Sequence, residues 1–166
     1  MSPRPPLPCL TTGSAAFDRI LGGGIPVRSV NVIAGEPGAG KTLFSLQMLF
    51  ALARQGHKGL YFTTLSEPTL KLIQYMQQFT FFDDAKLGEA IRFVNLSQLV
   101  LEQDLGAVLD AIIREVEAAQ ARVVVVDSFR TVVRKALSNL SEMELQGCVQ
   151  RLALGGCLAL CVGDSS

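Results

Sequence analysis

Gly35-Glu36-Pro37-Gly38-Ala39-Gly40-Lys41-Thr42 is the stretch that decides the fold of this chain. It matches G-x-x-x-x-G-K-[ST], the pattern of a phosphate-binding loop. The apolar run 30–34 comes directly before it and predicts a buried strand, and the run 43–55 comes directly after it and predicts a helix. A strand before the loop and a helix after it are the context that the motif requires. The alternative is a glycine-rich turn that carries an incidental Lys-Thr pair.

The residue types of this loop suit bound phosphate. Glycines at positions 35, 38 and 40 let the loop curl with its N–H groups pointing inward, and the helix that begins near Gly40 adds its positive end. Lys41 supplies a mobile charge for the outer phosphates, and the Thr42 hydroxyl is placed to bind Mg²⁺. The residues expected to hold the nucleotide are Gly35, Glu36, Pro37, Gly38, Ala39, Gly40, Lys41, Thr42 and Leu43.

Length and composition indicate one domain with little surface charge. The chain has 166 residues, a formal net charge of zero, 49% hydrophobic residues and only 18% charged residues. Zero net charge gives no strong field toward nucleic acid or an anionic membrane. The scarcity of charge predicts apolar surface patches, which are typical of self-association. We expect a Pro-rich tail over 1–10 and a single domain over 11–166.

The cysteines and the N-terminus indicate a cytoplasmic protein. The four cysteines at positions 9, 148, 157 and 161 are scattered, which suits a reducing compartment better than disulfides or a zinc site. We interpret Cys157 and Cys161 as core residues. Neither a signal peptide nor a membrane-spanning run is apparent in the sequence.

Apolar periodicity predicts strands that alternate with helices, which is typical of an α/β fold with a mainly parallel sheet. The run Val123–Val126 is β-branched throughout and fits a central parallel strand. A capping box at Ser141–Glu144 predicts a later helix. The predicted strands are 30–34, 60–64, 91–96, 123–126 and 157–162, and the predicted helices are 15–21, 43–55, a helix opening at 66–69, 104–120 and 141–154.

Asp127 follows the central strand and is the candidate metal-binding carboxylate. An acidic residue at the carboxyl end of a strand downstream of a phosphate loop is where Mg²⁺ needs a ligand. The alternative is an Asp that merely caps the strand. Together Thr42 and Asp127 form the expected metal site.

Glu67 is the candidate catalytic base, with Lys41 as the second catalytic residue. The residue after Asp127 is Ser128 rather than a glutamate, so the base must come from elsewhere. Carboxyl ends of parallel strands share one edge of the sheet, which would bring Glu67 near the terminal phosphate. The alternative is a Glu that stabilises a helix N-terminus through the helix dipole.

These motifs together resemble the KaiC-like branch of the RecA/RadA P-loop ATPases over about residues 10–154. The resemblance implies a RecA-like, three-layer α/β/α core, ATP and Mg²⁺ as ligands, and homo-oligomeric rings with nucleotide between subunits. It names no partner protein, and we expect neither DNA nor a membrane as a partner. The motifs that carry it are Thr12-Gly13, Phe17-Asp18, Gly22-Gly23-Gly24-Ile25-Pro26, the loop 35–42 and the segment 123–128.

The chain departs from the family pattern in two places. The family commonly has two adjacent acidic residues after the second strand, whereas this chain has Leu65-Ser66-Glu67-Pro68. Family domains also continue past the last predicted strand and carry basic residues that reach a neighbour's γ-phosphate. We therefore expect a core truncated at the C-terminus, which binds ATP but hydrolyses it poorly alone.

Three functions are open at this point. The first is an ATPase that works as a hydrolysis-driven switch in an oligomer. The second is a KaiC-type serine/threonine kinase that phosphorylates itself, although this single domain lacks the matching C-terminal segment. The third is a RecA/RadA-type DNA-binding recombination or repair module, for which the loop after Asp127 offers Arg130, Arg134 and Lys135. Zero net charge favours a solvated loop or a subunit contact there instead.

Overall fold

A five-stranded, all-parallel sheet is the centre of the structure, a computed structural model that describes residues 7–64, 69–128, 131–132, 147, 150 and 158–164. The strand order in this sheet is β3-β7-β6-β4-β5. Its strands are β3 (Val30–Gly35), β4 (Gly59–Thr63), β5 (Ile91–Asn95), β6 (Val123–Asp127) and β7 (Leu158–Asp164), and a separate antiparallel pair is formed by β1 (Cys9–Leu10) and β2 (Ile25–Pro26).

The middle of the sheet is buried on both faces. All residues of β4 and β6 are buried, which suits the β-branched run of β6 because such side chains pack well on a pleated surface. Strand β6 pairs with β4 on one side and β7 on the other, and the register sets Asp127 opposite Thr63 and Val162. The predicted central parallel strand is therefore confirmed.

Helices cover both faces of this sheet. Helices α4 and α5 pack on one face with Phe62, Val124 and Val126. Helix α2 packs on the other face with Tyr61 and Val125. The three-layer α/β/α architecture expected from the sequence is confirmed. The helices are α1 (Ala15–Ile20), α2 (Lys41–Arg54), α3 (Thr69–Met76), α4 (Ser97–Glu102) and α5 (Leu105–Ala119), with a 3₁₀ turn at Asp84–Lys86.

Helix α2 follows the phosphate loop and is almost fully enclosed. Leu46, Met48 and Phe50 have no exposed surface. The Phe50 ring also meets Phe81 and Phe82, whose ring centroids lie 5.9 and 5.4 Å away. Because these apolar residues surround the helix, α2 is fixed against the sheet, and the loop at its first turn is fixed with it.

The N-terminal segment is tied down by Asp18. Its carboxylate accepts hydrogen bonds from the Thr12 backbone N–H at 2.8 Å, from the Thr12 hydroxyl at 2.6 Å and from the Thr11 hydroxyl. Partial burial tends to raise the pKa of Asp18, but these hydrogen bonds outweigh it and hold the pKa below its ordinary value. These hydrogen bonds connect the Thr12-Gly13 motif to the Phe17-Asp18 motif. Helix α1 lies beside α2, and the centroids of the Phe17 and Phe44 rings are 4.9 Å apart.

The structure differs from the sequence-based expectations in detail. Residues Cys9 and Leu10, assigned to the tail, form β1, and α4 was not predicted. Cys161 is buried as expected, and burial raises the pKa of its thiol to about 12. Residues 66–68 of the helix start predicted at 66–69, the capping box and Cys157 lie outside the described residues, and the described part of that helix, α3, begins at Thr69. Within the described part of the chain, no helix is long and apolar enough to cross a membrane.

Gly22 and Gly24 provide a test of the turn between α1 and β2. Both have positive φ, 72° and 117°, but only a Cβ at Gly24 would meet backbone, at 2.3 Å from the Leu10 carbonyl oxygen. We expect Gly22→Ala to lower the free energy of unfolding by about 1–2 kcal/mol, the cost of left-handed backbone. Gly24→Ala should cost about 3 kcal/mol because overpacking adds to that cost. Urea unfolding of the two variants measures the difference, and equal losses would contradict the close approach.

Candidate functional site

The phosphate loop lies at the carboxyl edge of the sheet, between the end of β3 at Gly35 and the start of α2 at Lys41. Gly38 and Gly40 have φ values of 82° and 85°, and Gly40 is the residue before the helix. This left-handed backbone is what glycine permits without strain. Gly35, in contrast, has no positive φ, and a Cβ there would meet Ala39 at 3.4 Å. Two of the three glycines therefore have the left-handed backbone that lets the loop turn.

Lys41 lies along the loop that it closes. Its Nζ donates to the carbonyl oxygens of Gly35 at 2.9 Å and Glu36 at 2.8 Å. The ammonium group therefore lies against the first two residues of the loop. That arrangement places a positive charge beside the positive end of α2, where an anion is favoured.

Thr42 and Asp127 meet at the same edge. The Thr42 hydroxyl donates to Oδ2 of Asp127 at 2.6 Å, across 85 residues of sequence. Asp127 is the last residue of β6 and is only 8% exposed. Thr42 and Asp127, identified separately from the sequence, thus place a hydroxyl oxygen and a carboxylate side by side beside the loop, and such hard oxygen donors are what Mg²⁺ prefers.

Tyr61 is a third member of this cluster that the sequence analysis missed. Its hydroxyl donates to the same Oδ2 of Asp127 at 2.6 Å. Burial, then the negative charge of Asp127 and the hydrogen bond to it, raise the pKa of Tyr61 far above its ordinary value. Tyr61 therefore keeps its proton and remains a donor. No sequence pattern marked Tyr61, because its link to Asp127 depends on the pairing of β4 with β6.

The backbone around Asp127 is fixed by Thr64. The Thr64 N–H donates to the Asp127 carbonyl at 3.0 Å, and the Ser128 N–H donates to the Thr64 hydroxyl at 3.1 Å. The peptide bond between Asp127 and Ser128 is cis. These contacts join the ends of β4 and β6, so the carboxylate is held on a fixed piece of backbone.

Two clefts flank the phosphate loop. One, of about 220 Å³, lies between the start of α2 and the half-exposed Tyr75 of α3. The other, of about 460 Å³, is more apolar and runs along β3 to Phe17 and Phe44. Both are bordered by Gly40 and Lys41. The loop is therefore open to a ligand from two sides.

The structure brings together the loop, Lys41, Thr42 and Asp127. Glu67, Arg130, Arg134 and Lys135 lie outside the described residues, so the base and the basic loop remain predictions. Among the residues that the structure describes, no group of three or more His, Cys, Asp or Glu could hold a metal ion. A metal at this edge would therefore depend on Asp127 with the Thr42 hydroxyl and the ligand's own oxygens, which is the usual arrangement for Mg²⁺ bound with phosphates.

A parallel α/β/α sheet with a phosphate loop between an edge strand and a buried helix defines a P-loop domain of the RecA type. The model of the KaiC ATPase family matches residues 10–166. The chain therefore belongs to the KaiC-like ATPase family, within the RecA/KaiC superfamily of P-loop ATPases.

Curated relatives agree with this placement. A UPF0273 protein of Thermotoga maritima is 29% identical over 93% of this chain. The DNA repair protein RadA of Mycobacterium tuberculosis is 32% identical over 75% of the chain, and the RadA of Escherichia coli is 51% identical over 34%. The matched regions make up 69%, 23% and 12% of these relatives, respectively. The similarity thus concerns the domain, and the RadA proteins are much longer than the region they share with it.

Asp127→Asn provides a test of the site without any ligand. Asp127 is buried and accepts hydrogen bonds from two neutral hydroxyls, which an amide oxygen also accepts. We expect the metal-free variant to unfold with a free energy equal to or above that of the wild type, within about 1 kcal/mol, because a buried charge is costly to desolvate. Urea unfolding in a chelator measures this. A loss above about 2 kcal/mol would show that the charge itself stabilises the fold.

Proposed function

We propose that this domain binds ATP with Mg²⁺ and hydrolyses it as a switch within an oligomer. The observation that carries the proposal is the hydrogen bond of 2.6 Å between Thr42 and Asp127, beside a loop that contains left-handed Gly38 and Gly40 and the ammonium group of Lys41. Membership in the KaiC-like ATPase family supports the same conclusion.

The loop is proposed to bind the phosphates through its backbone. Gly38 and Gly40 have the left-handed backbone that anion-binding loops use, and the start of α2 adds its dipole. Lys41 is proposed to exchange its two carbonyl contacts for phosphate oxygens, which bind an ammonium group more strongly because they are charged.

Thr42 and Asp127 are proposed to hold the metal. Mg²⁺, when bound with ATP, neutralises charge on the outer phosphates. The Thr42 hydroxyl can serve both partners, since an oxygen lone pair can face the metal while its O–H still donates to Asp127. Asp127 in turn is held by β6, which is paired on both sides.

Glu67 is proposed as the base that orients the attacking water. The support is its position in the chain, four residues after Thr63, the last residue of β4, which pairs with Asp127. Completion of the site by a second subunit is part of the proposal, since arginine fingers supplied by a neighbour are worth about 10³–10⁵ in rate in P-loop enzymes.

DNA binding is a second candidate. Its support is the similarity to proteins named DNA repair protein RadA, which extends over 75% of this chain in one case. Zero net charge argues against it. Titration of single-stranded and duplex DNA at several salt concentrations decides between them: affinity that falls steeply with salt supports DNA binding, and no affinity at low salt removes it.

Lys41→Ala tests the phosphate site. We expect affinity for Mg-ATP to fall at least about 100-fold, because the variant loses a charged contact to the outer phosphates. The melting temperature without ligand should change little, since the ammonium group that is removed donates to carbonyl oxygens of the partly exposed loop. Titration calorimetry measures the affinity.

Lys58→Ala is the matched control for this test. Lys58 is exposed and precedes β4 at the opposite edge of the sheet from the loop. The Lys58→Ala variant loses one positive charge, as Lys41→Ala does, and should bind Mg-ATP like the wild type. Equal weakening in both variants would indicate a general charge effect, and unchanged binding in Lys41→Ala would make the site assignment wrong.

Glu67→Gln tests the base. We expect it to bind Mg-ATP like the wild type and to hydrolyse it about 10²-fold more slowly or worse, since general-base catalysis contributes about 10²–10⁴-fold. Phosphate release from an assembly that turns over ATP measures the rate. Glu89→Gln, at an exposed position before β5, is the control. Equal turnover in wild type and Glu67→Gln would leave Glu67 as a residue that only stabilises the helix start.

A further inference from the structure

Tyr61 is a buried polar group of the site to which none of the proposed roles assigns a task. Its side chain is 2% exposed, and its hydroxyl reaches Oδ2 of Asp127 at 2.6 Å. A phenylalanine would fill the same space in the core without bringing a polar group into it. Packing alone therefore does not require tyrosine, and burying a hydroxyl is favourable only when it has a good partner.

The register of the sheet explains how Tyr61 reaches Asp127. Tyr61 pairs with Val125, and Asp127 lies two residues further along β6 on the same face. On the other side, the Phe93 ring of β5 packs against the Tyr61 ring with centroids 5.3 Å apart. The ring is thus confined by neighbouring strands, and its hydroxyl has a fixed position at the carboxyl edge.

The two hydroxyl groups use one oxygen of the carboxylate. Thr42 and Tyr61 both donate to Oδ2, each at 2.6 Å. A carboxylate oxygen has two lone pairs, so these two donors occupy Oδ2. Oδ1 is left to receive a metal ion or a water molecule bound to it. Two donors on one oxygen also restrict rotation of the carboxyl group.

We propose that Tyr61 is a positioning residue for the metal site, whose hydroxyl holds Asp127 by Oδ2 so that Oδ1 faces the Mg²⁺ of the bound nucleotide. This rests on the proposed function. Thr42 is itself a metal ligand in that function, so its hydrogen bond to Asp127 depends on how the metal sits. Tyr61 approaches from the core and supplies the donor that is independent of the ligand.

Tyr61→Phe separates this role from a structural one. It removes a single oxygen and keeps the ring that packs on Phe93. We expect the Mg²⁺ concentration for half-maximal binding, measured with a non-hydrolysable ATP analogue, to rise about tenfold to a hundredfold, as for loss of one hydrogen bond to a charged group. Affinity for the analogue without metal should change less than about twofold. A purely structural hydroxyl would lower the melting temperature and leave the Mg²⁺ dependence unchanged.

Ile112→Val is the control for lost stability. Ile112 is 1% exposed and lies in α5, on the opposite face of the sheet from Tyr61. Removing its methyl group lowers stability by about 0.5–1.5 kcal/mol without touching the site. Its Mg²⁺ dependence should match the wild type. A shift equal to that of Tyr61→Phe would overturn the proposal.

A double-mutant cycle tests whether Tyr61 acts through Asp127. Once Asp127→Asn has removed the carboxylate, adding Tyr61→Phe should raise the Mg²⁺ requirement no further, because contacting residues that act together are not additive. Independent, additive rises would overturn the proposal.

Should Tyr61→Phe fail to fold, an NMR experiment on the wild-type protein with isotope-labelled tyrosine replaces it. The Tyr61 resonance should shift when Mg²⁺ is added to the nucleotide-loaded wild type. In Asp127→Asn the same addition should leave its chemical shift unchanged. The absence of a shift in the wild type contradicts the proposal.

The outcomes distinguish this proposal from the function on which it rests. A wild-type protein that shows no Mg²⁺-dependent nucleotide binding overturns both. A wild type that binds Mg-ATP analogue normally, together with a Tyr61→Phe variant of unchanged Mg²⁺ dependence, overturns the role of Tyr61 alone.

Discussion

Parallel pairing of β6 with both of its neighbours is the constraint on which the site depends. The pairing sets Asp127 opposite Thr63 on one side and Val162 on the other. A shift of one residue in this register would move the carboxylate to the other face of the sheet. Such a shift is opposed by the carboxylate itself, because moving Asp127 among the buried apolar residues of the sheet would cost more than the valines of β6 could recover. The apolar core and the polar edge are therefore specified by the same hydrogen bonds.

Much of the fold follows from sequence patterns because they are local and strong. The β-branched run 123–126, the amphipathic helix after Asp104 and the glycine-rich loop each have one physically favoured structure. Helix α4 was missed because six residues carry little periodic signal, and its stability comes from packing Val100 against α5. Strand β1 was missed because its two residues follow prolines and are specified only by pairing with β2. These elements depend on tertiary contacts that no local pattern contains.

The candidate site was predictable to a similar extent. The loop, Lys41, Thr42 and Asp127 could be named because their chemistry requires those residue types at those places in the chain. Tyr61 could not, since a tyrosine within an apolar strand resembles a core aromatic. Its importance appears only when the register shows that its hydroxyl meets Asp127. A residue that hydrogen-bonds to a site residue on a neighbouring strand is recognised from the three-dimensional structure and not from spacing in the sequence.

The wide separation of the site residues along the chain also bears on how the protein folds. Thr42 and Asp127 are 85 residues apart, and Tyr61 and Asp127 are 66 apart. Contacts of such separation close long loops, and parallel strands that depend on them form slowly because chain entropy is lost before the pairing compensates for it. The phosphate loop and its helix are local and can form early, whereas the carboxylate joins them only when β6 has paired. A partly folded chain therefore has the loop without the Asp127 carboxylate, so a ligand that needs both would bind only the completed sheet and shift the folding equilibrium toward it.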